Sequence, residues 1–125
     1  MPKSPYQLNQ VILYVQDMDC EVRFYRDLLG LPILYPSGKA DYASEMWVEF
    51  EAGGSTLALH GGLSHPVGID HEFVFFVEDI ETAWGELNDA NVDIGEIRML
   101  ETGEPIASGT DPEGHRFSIR ATKKE

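Results

Sequence analysis

A strand, an acidic corner, a helix and a glycine stop occur twice in this chain, at a fixed spacing. The first copy is Gln10 to Pro32, QVILYVQDMDCEVRFYRDLLGLP, and the second starts 62 positions later, at Glu72, as EFVFFVEDIETAWGELNDANV. Val15 falls on Val77, Asp17 on Asp79, Met18 on Ile80, Val22 on Trp84 and Tyr25 on Leu87. Few identities are kept, but the order of apolar, acidic and helical positions is. A repeat of this kind restricts the fold more than any single motif, because each copy must form the same supersecondary unit.

The residues around each copy complete that unit. Val11, Leu13 and Val15 alternate with Gln10, Ile12 and Tyr14, the period of a strand with two different faces. Asp17 or Asp19 can cap the following helix by accepting from its free N–H groups. Val22, Tyr25, Leu28 and Leu29 recur at helical spacing and predict the buried stripe. Gly30 supplies a left-handed stop and Pro32 prevents the helix from resuming. Residues 32–36 read as a short strand, and 37–43 as a polar loop able to act as a mobile flap. Residues 46–51 and 55–60 read as a hairpin around Ala52-Gly53-Gly54. In the second half, 71–77 is a strand and Asp79 caps a helix lined by Ile80, Ala83, Trp84, Leu87 and Ala90. Strands follow at 92–100, 105–110 and 116–121, the last after the turn Asp111-Pro112-Glu113-Gly114. GGLSHPVG forms the natural linker.

The predicted fold class is therefore α+β: a single domain of two βαβββ modules, 6–60 and 71–121, joined by a linker at 61–70. Each helix covers one face of a four-stranded sheet. The other faces mix polar and apolar residues, and two such faces curled around a cavity would hold a small molecule.

Charge and composition exclude several classes. The 125 residues carry a formal net charge of −13 with only nine Lys and Arg, which argues against nucleic acid and anionic membranes as partners. Cys20 is the only cysteine, so no internal disulfide forms. The segment MPKSPYQLNQ lacks the apolar core of a secretion signal, and a cytoplasmic location is the expectation.

QVILYVQDMDCEVRFYRDLLGL, TLALH, EFVFFVEDIETAW and DPEGHRFSIR together resemble the vicinal oxygen chelate superfamily of glyoxalase I, bleomycin resistance proteins and extradiol dioxygenases. The resemblance spans nearly the whole chain. It implies paired βαβββ modules around one cavity and commonly a homodimer. In metal-using relatives, four side chains from the first and last strands of each module hold a divalent metal. Those positions fall on Gln10, Ala58, Glu72 and Ser118. Gln10 matches some relatives, whereas Ala58 and Ser118 stand where the family has glutamates, and neither is a good divalent-metal ligand. His60 lies two residues beyond Ala58 on the same face, and Glu49 is expected opposite Ala58. Gln10, His60 and Glu72, with Glu49 in reserve, then make a ligand set for Zn, Ni, Mn or Fe.

Two functions follow from the resemblance. One is a divalent-metal-assisted lyase, isomerase or dioxygenase in which Glu72 is ligand or general base, since a carboxylate in an apolar cleft holds its proton more tightly. The alternative is a metal-free protein that binds a small molecule, of the antibiotic-binding type. Glu72 could equally be tied to Arg116 or Arg120. Trp47, Tyr14, Ser118 and Arg120 are the expected substrate contacts, Arg120 through its planar fork to an anion. His65, His71 and His115 read as surface or turn residues, and Trp84 as core.

Overall fold

The computed structural model describes residues 8–61 and 72–122, in two compact units on either side of the linker stretch. His65, His71 and most of 61–70 lie outside the described residues. The strands form two open mixed sheets, one in each unit. Among the described residues, no helix is long and apolar enough to cross a membrane.

The repeat is reproduced residue by residue where each unit begins. Strand β1 is Gln10–Tyr14, and β5, its equivalent, is Glu72–Phe76. Asp17 caps helix α1 (Met18–Val22) through the Cys20 N–H, and Asp79 caps α2 (Ile80–Asp89) through the Thr82 N–H, the same third position in both. A short polar side chain just before an apolar helical run satisfies an N–H that the helix leaves unpaired, which explains the shared start.

In the first unit, β2 (Ile33–Tyr35), β3 (Trp47–Glu51) and β4 (Thr56–His60) complete the sheet in the order β1-β4-β3-β2. β1 runs parallel to β4, and the other pairs are antiparallel. Alternation puts Leu13, Val48, Phe50, Leu57 and Leu59 on the buried side, where Tyr25 of the helix meets Phe50 with ring centroids 6.0 Å apart. The helix departs from the expected regular form. After Val22 it widens into a π-helical stretch, Arg23–Leu28, in which Leu29 N–H donates to Phe24 O at 3.1 Å. A π turn advances fewer degrees per residue, so the buried stripe drifts. Phe24 joins Val22 and Tyr25 in the core, while Leu28 and Leu29 are only half-buried. Gly30, at φ +75°, ends the helix as expected.

The segment read as a mobile flap is pinned instead. Tyr42 is buried, its hydroxyl donates to Pro36 O at 2.9 Å, and its N–H reaches Asp19 Oδ1 at 3.2 Å. Arg26 sits 5.8 Å from the Tyr42 ring centroid, and Lys39 bridges to Glu45 at 2.9 Å. One aromatic anchor within a polar run was enough to order the loop.

In the second unit the order is β5-β9-β8-β6, with β8 at Pro105–Thr110 and β9 at Arg116–Arg120. The strand expected over 92–100 is broken into β6 (Asp93–Ile94) and β7 (Arg98–Met99), both paired with β8. The pairing slips by one residue between them, so the break is a bulge. Trp84 holds it in place by donating its indole N–H to Gly95 O at 2.7 Å. Trp84 is thus half-buried and pins the strand edge instead of filling the core. Phe73, Phe75, Phe117 and Ile119 share the helix-side face, and α2 packs on β8 and β9 through it. Asn91, at φ +64°, closes α2, with Val92 N–H donating to Leu87 O at 3.0 Å.

The bulge requires a glycine opposite it. A Cβ on Gly109 would lie 2.4 Å from Asp93 O and 3.0 Å from Ile94 Cα, both backbone atoms. Gly109→Ala is expected to cost about 2 kcal/mol, the range for overpacking a fitted site. A thermal melt within a degree of the parent would show that the β6 edge yields freely.

Candidate functional site

Each unit leaves one sheet face without a helix, and the sequence-predicted site residues lie on these two faces. In the first unit, register builds three rows across adjacent strands. Tyr14, His60 and Trp47 form the first, Ile12, Ala58 and Glu49 the second, and Gln10, Thr56 and Glu51 the third. Glu49 does stand opposite Ala58.

His60 is half-buried between two aromatic rings, with centroids 5.5 Å from Tyr14 and 5.9 Å from Trp47. Its Nδ1 lies 3.0 Å from Gly61 O. A carbonyl can only accept, so Nδ1 is the donor in this contact, and in the neutral ring that leaves Nε2 as the acceptor. Trp47 donates its indole N–H to Glu49 Oε2 at 2.7 Å, and Gln10 donates from Nε2 to Thr56 Oγ1 at 2.9 Å. Tyr14 is 50% exposed at the strand end, so its ring is accessible. Gln10 and His60 belong to rows four residues apart, about 13 Å along the strands. The register does not bring those two to a common point.

In the second unit the open face carries Glu72, Val74 and Phe76 of β5, and Arg116, Ser118 and Arg120 of β9. Ser118 is fully buried and donates to Glu72 Oε2. Its single proton is spent there, so the 2.7 Å contact with Ser108 Oγ is a bond that Ser108 donates. Arg116 reaches Glu72 Oε1 at 3.3 Å. Of the two arginines that sequence left open for Glu72, Arg116 is the partner. Arg120 is paired with Glu104, which also accepts from Thr102 Oγ1 at 3.0 Å. The Arg120 hydrogen bond first, and that of Thr102 next, hold the Glu104 carboxyl below the usual carboxylate range. The Arg120 fork is therefore engaged on its own sheet.

A divalent metal at the four family positions is tested by these contacts. Ala58 has no donor atom. Ser118 is a neutral hydroxyl committed to Glu72, and both Glu72 oxygens already accept protein donors. Gln10 contributes one amide oxygen. This leaves a single anionic group, itself hydrogen-bonded, where a divalent ion prefers several deprotonated ligands. The four inherited positions do not fit the ion.

Sequence reasoning missed two groups. Ser108, in a segment read simply as a strand, is the origin of the hydroxyl chain. His115, read as a turn residue, is buried and its Nδ1 lies 2.7 Å from Asp111 Oδ2. The signal was present, since Asp-Pro-Glu-Gly-His places an acid four residues before a base across a tight turn.

The sequence pattern of the Glyoxalase/Bleomycin resistance protein/Dioxygenase superfamily matches residues 7–119. The chain belongs to this superfamily. Metallothiol transferase FosB of Staphylococcus saprophyticus is 32% identical over 119 residues, covering 90% of this chain and 74% of that protein. Among solved structures, lactoylglutathione lyase from Agrobacterium tumefaciens superimposes with a TM-score of 0.76 at 20% identity, over 95% of this chain and 96% of that one. Oxidase ChaP-H1 gives 0.74 at 26% identity, over 94% and 96%. The α+β class expected from the repeat is thus the glyoxalase-like fold, built here as two open sheets. Superfamily membership makes small-molecule binding the general role and makes a divalent metal the common companion. The Glu72, Ser118 and Ala58 contacts set this member apart from that ligand pattern.

Proposed function

We propose that this superfamily member binds a small organic molecule on its helix-free sheet faces and does so without a divalent metal at the four family positions. The observation that carries this reading is the chain Ser108 to Ser118 to Glu72, closed by Arg116. It turns two of the four positions into a hydrogen-bonded polar wall. Such a wall orients polar groups of a ligand on the second unit's open face, and Tyr14 and Trp47 give the first unit's open face its own aromatic surface. The working form is a homodimer in the cytoplasm, in keeping with an acidic chain of this superfamily.

A metal-assisted lyase, isomerase or dioxygenase with Glu72 as a ligand is the second reading, in which Gln10 and His60 do not share the ion because the register keeps them apart. The likeness to a protein named metallothiol transferase favours it. One measurement separates the two. Untagged protein is incubated with Zn, Ni, Mn and Fe(II), desalted and assayed for metal, beside Glu72→Ala. Background metal in both is expected. One equivalent in the parent that disappears in Glu72→Ala would establish the second reading instead.

A further inference from the structure

The helix-free face of the first unit has a chemical bias that the proposed function leaves unused. Its strands, QVILY, WVEFE and TLALH, contain no lysine or arginine. Three rings stand in line across them, Tyr14, His60 and Trp47. Beside this line, Glu49 is held by the Trp47 indole through Oε2, and its second oxygen accepts from none of the described residues. The other acid of the face is committed, because Glu51 Oε1 accepts from Gly53 and Gly54 N–H at 2.8 and 2.9 Å to close the hairpin. Glu49 is therefore a positioned carboxylate with free acceptor capacity next to aromatic surface.

We infer that this face recognises an aromatic organic cation. The ring of the ligand lies against Tyr14 and Trp47, and its cationic nitrogen faces the Glu49 carboxylate. Ring faces carry negative charge density and attract cations, and the carboxylate adds a directed partner. The net charge of −13 draws cations toward the molecule and repels anions. The second unit's open face differs, since Arg116 and Arg120 lie on it. The inference rests on the small-molecule-binding reading and deepens it by naming the ligand class.

The test is an NMR titration of the full-length 15N-labelled chain with benzyltrimethylammonium, benzyl alcohol and phenylacetate. The chain has two tryptophans, one in each unit, so the Trp47 indole N–H reports on the face and the Trp84 indole N–H is an internal control. The cation should shift the Trp47 signal with a dissociation constant at least about tenfold below those of the neutral and anionic probes, and leave Trp84 in place. Glu49→Gln should erase that preference, and Trp47→Leu should weaken cation binding, judged then from the Tyr14 amide. Retained amide dispersion confirms that each variant folds. Equal or tighter binding of phenylacetate or benzyl alcohol overturns the inference, as does a preference that survives Glu49→Gln or the absence of any shift up to about 20 mM cation. The metal assay reads a different quantity, so a chain can fail either test and pass the other.

Discussion

Asp111→Ala should lower stability by about 3 kcal/mol, near 10 °C in melting temperature for a chain of this size. Asp111 is buried at 4% exposure, in the turn between β8 and β9. Its Oδ1 accepts from Glu113 N–H at 3.0 Å and His115 N–H at 2.9 Å, and its Oδ2 faces His115 Nδ1 at 2.7 Å. Truncation removes all three bonds. It also leaves a buried imidazole and two turn amides without that acceptor, and an orphaned buried donor costs more than a made bond contributes. Asp111→Asn keeps an oxygen for the two amides and should lose roughly half as much. Calorimetry on the three proteins checks the ranking. Equal melting of Asp111→Ala and the parent would show that the turn is held from elsewhere.

The same turn shows where sequence reading succeeds and where it stops. Asp-Pro-Glu-Gly marked a turn because Pro and Gly restrict φ locally, whatever surrounds them. The Asp79 cap, Asp17 as one of two candidates with Asp19, and the strand faces were legible for the same reason, being consequences of neighbours within a few residues. The widening of the first helix was not, since nothing in RFYRDL distinguishes a π turn from an α turn without the packing of Phe24 and Tyr25. The bulge between β6 and β7 depends on Trp84 and Gly109, which come from another helix and another strand. Tyr42 orders its loop through Asp19 and Pro36, 23 and six residues away.

Site residues divide along the same line. Parity placed Gln10, Tyr14, Trp47, Glu49 and His60 on one face and Glu72, Ser118 and Arg120 on another. It carried no information about who bonds to whom. Whether Glu72 is a ligand, a base or an ion-pair partner turns on the rotamers of Ser118 and Arg116, set by contacts across two parallel strands. Arg120 looked available in sequence because Glu104, 16 residues away, is not visible as its partner until β8 and β9 are paired.

Replacing Glu72 by a histidine and Ser118 by the glutamate that the family has there should convert the polar wall into a metal site. The double variant Glu72→His with Ser118→Glu is expected to bind Zn at least about a hundredfold more tightly than the parent, some 2.7 kcal/mol. The two positions already converge, because the Ser118 hydroxyl reaches the Glu72 carboxylate across the β5–β9 pair. An imidazole nitrogen and a deprotonated carboxylate there are ligands that zinc accepts, and water fills the remaining positions. Arg116, 3.3 Å from Glu72 in the parent, loses its acid and is the counterweight that keeps the gain below that of a full ligand set. Zinc titration with a competing chelator, beside circular dichroism to confirm the fold, measures the change. A parent that already binds zinc as tightly as the variant would mean that the wild-type face holds metal through other groups, His60 Nε2 foremost, and the metal-free reading would fall with it.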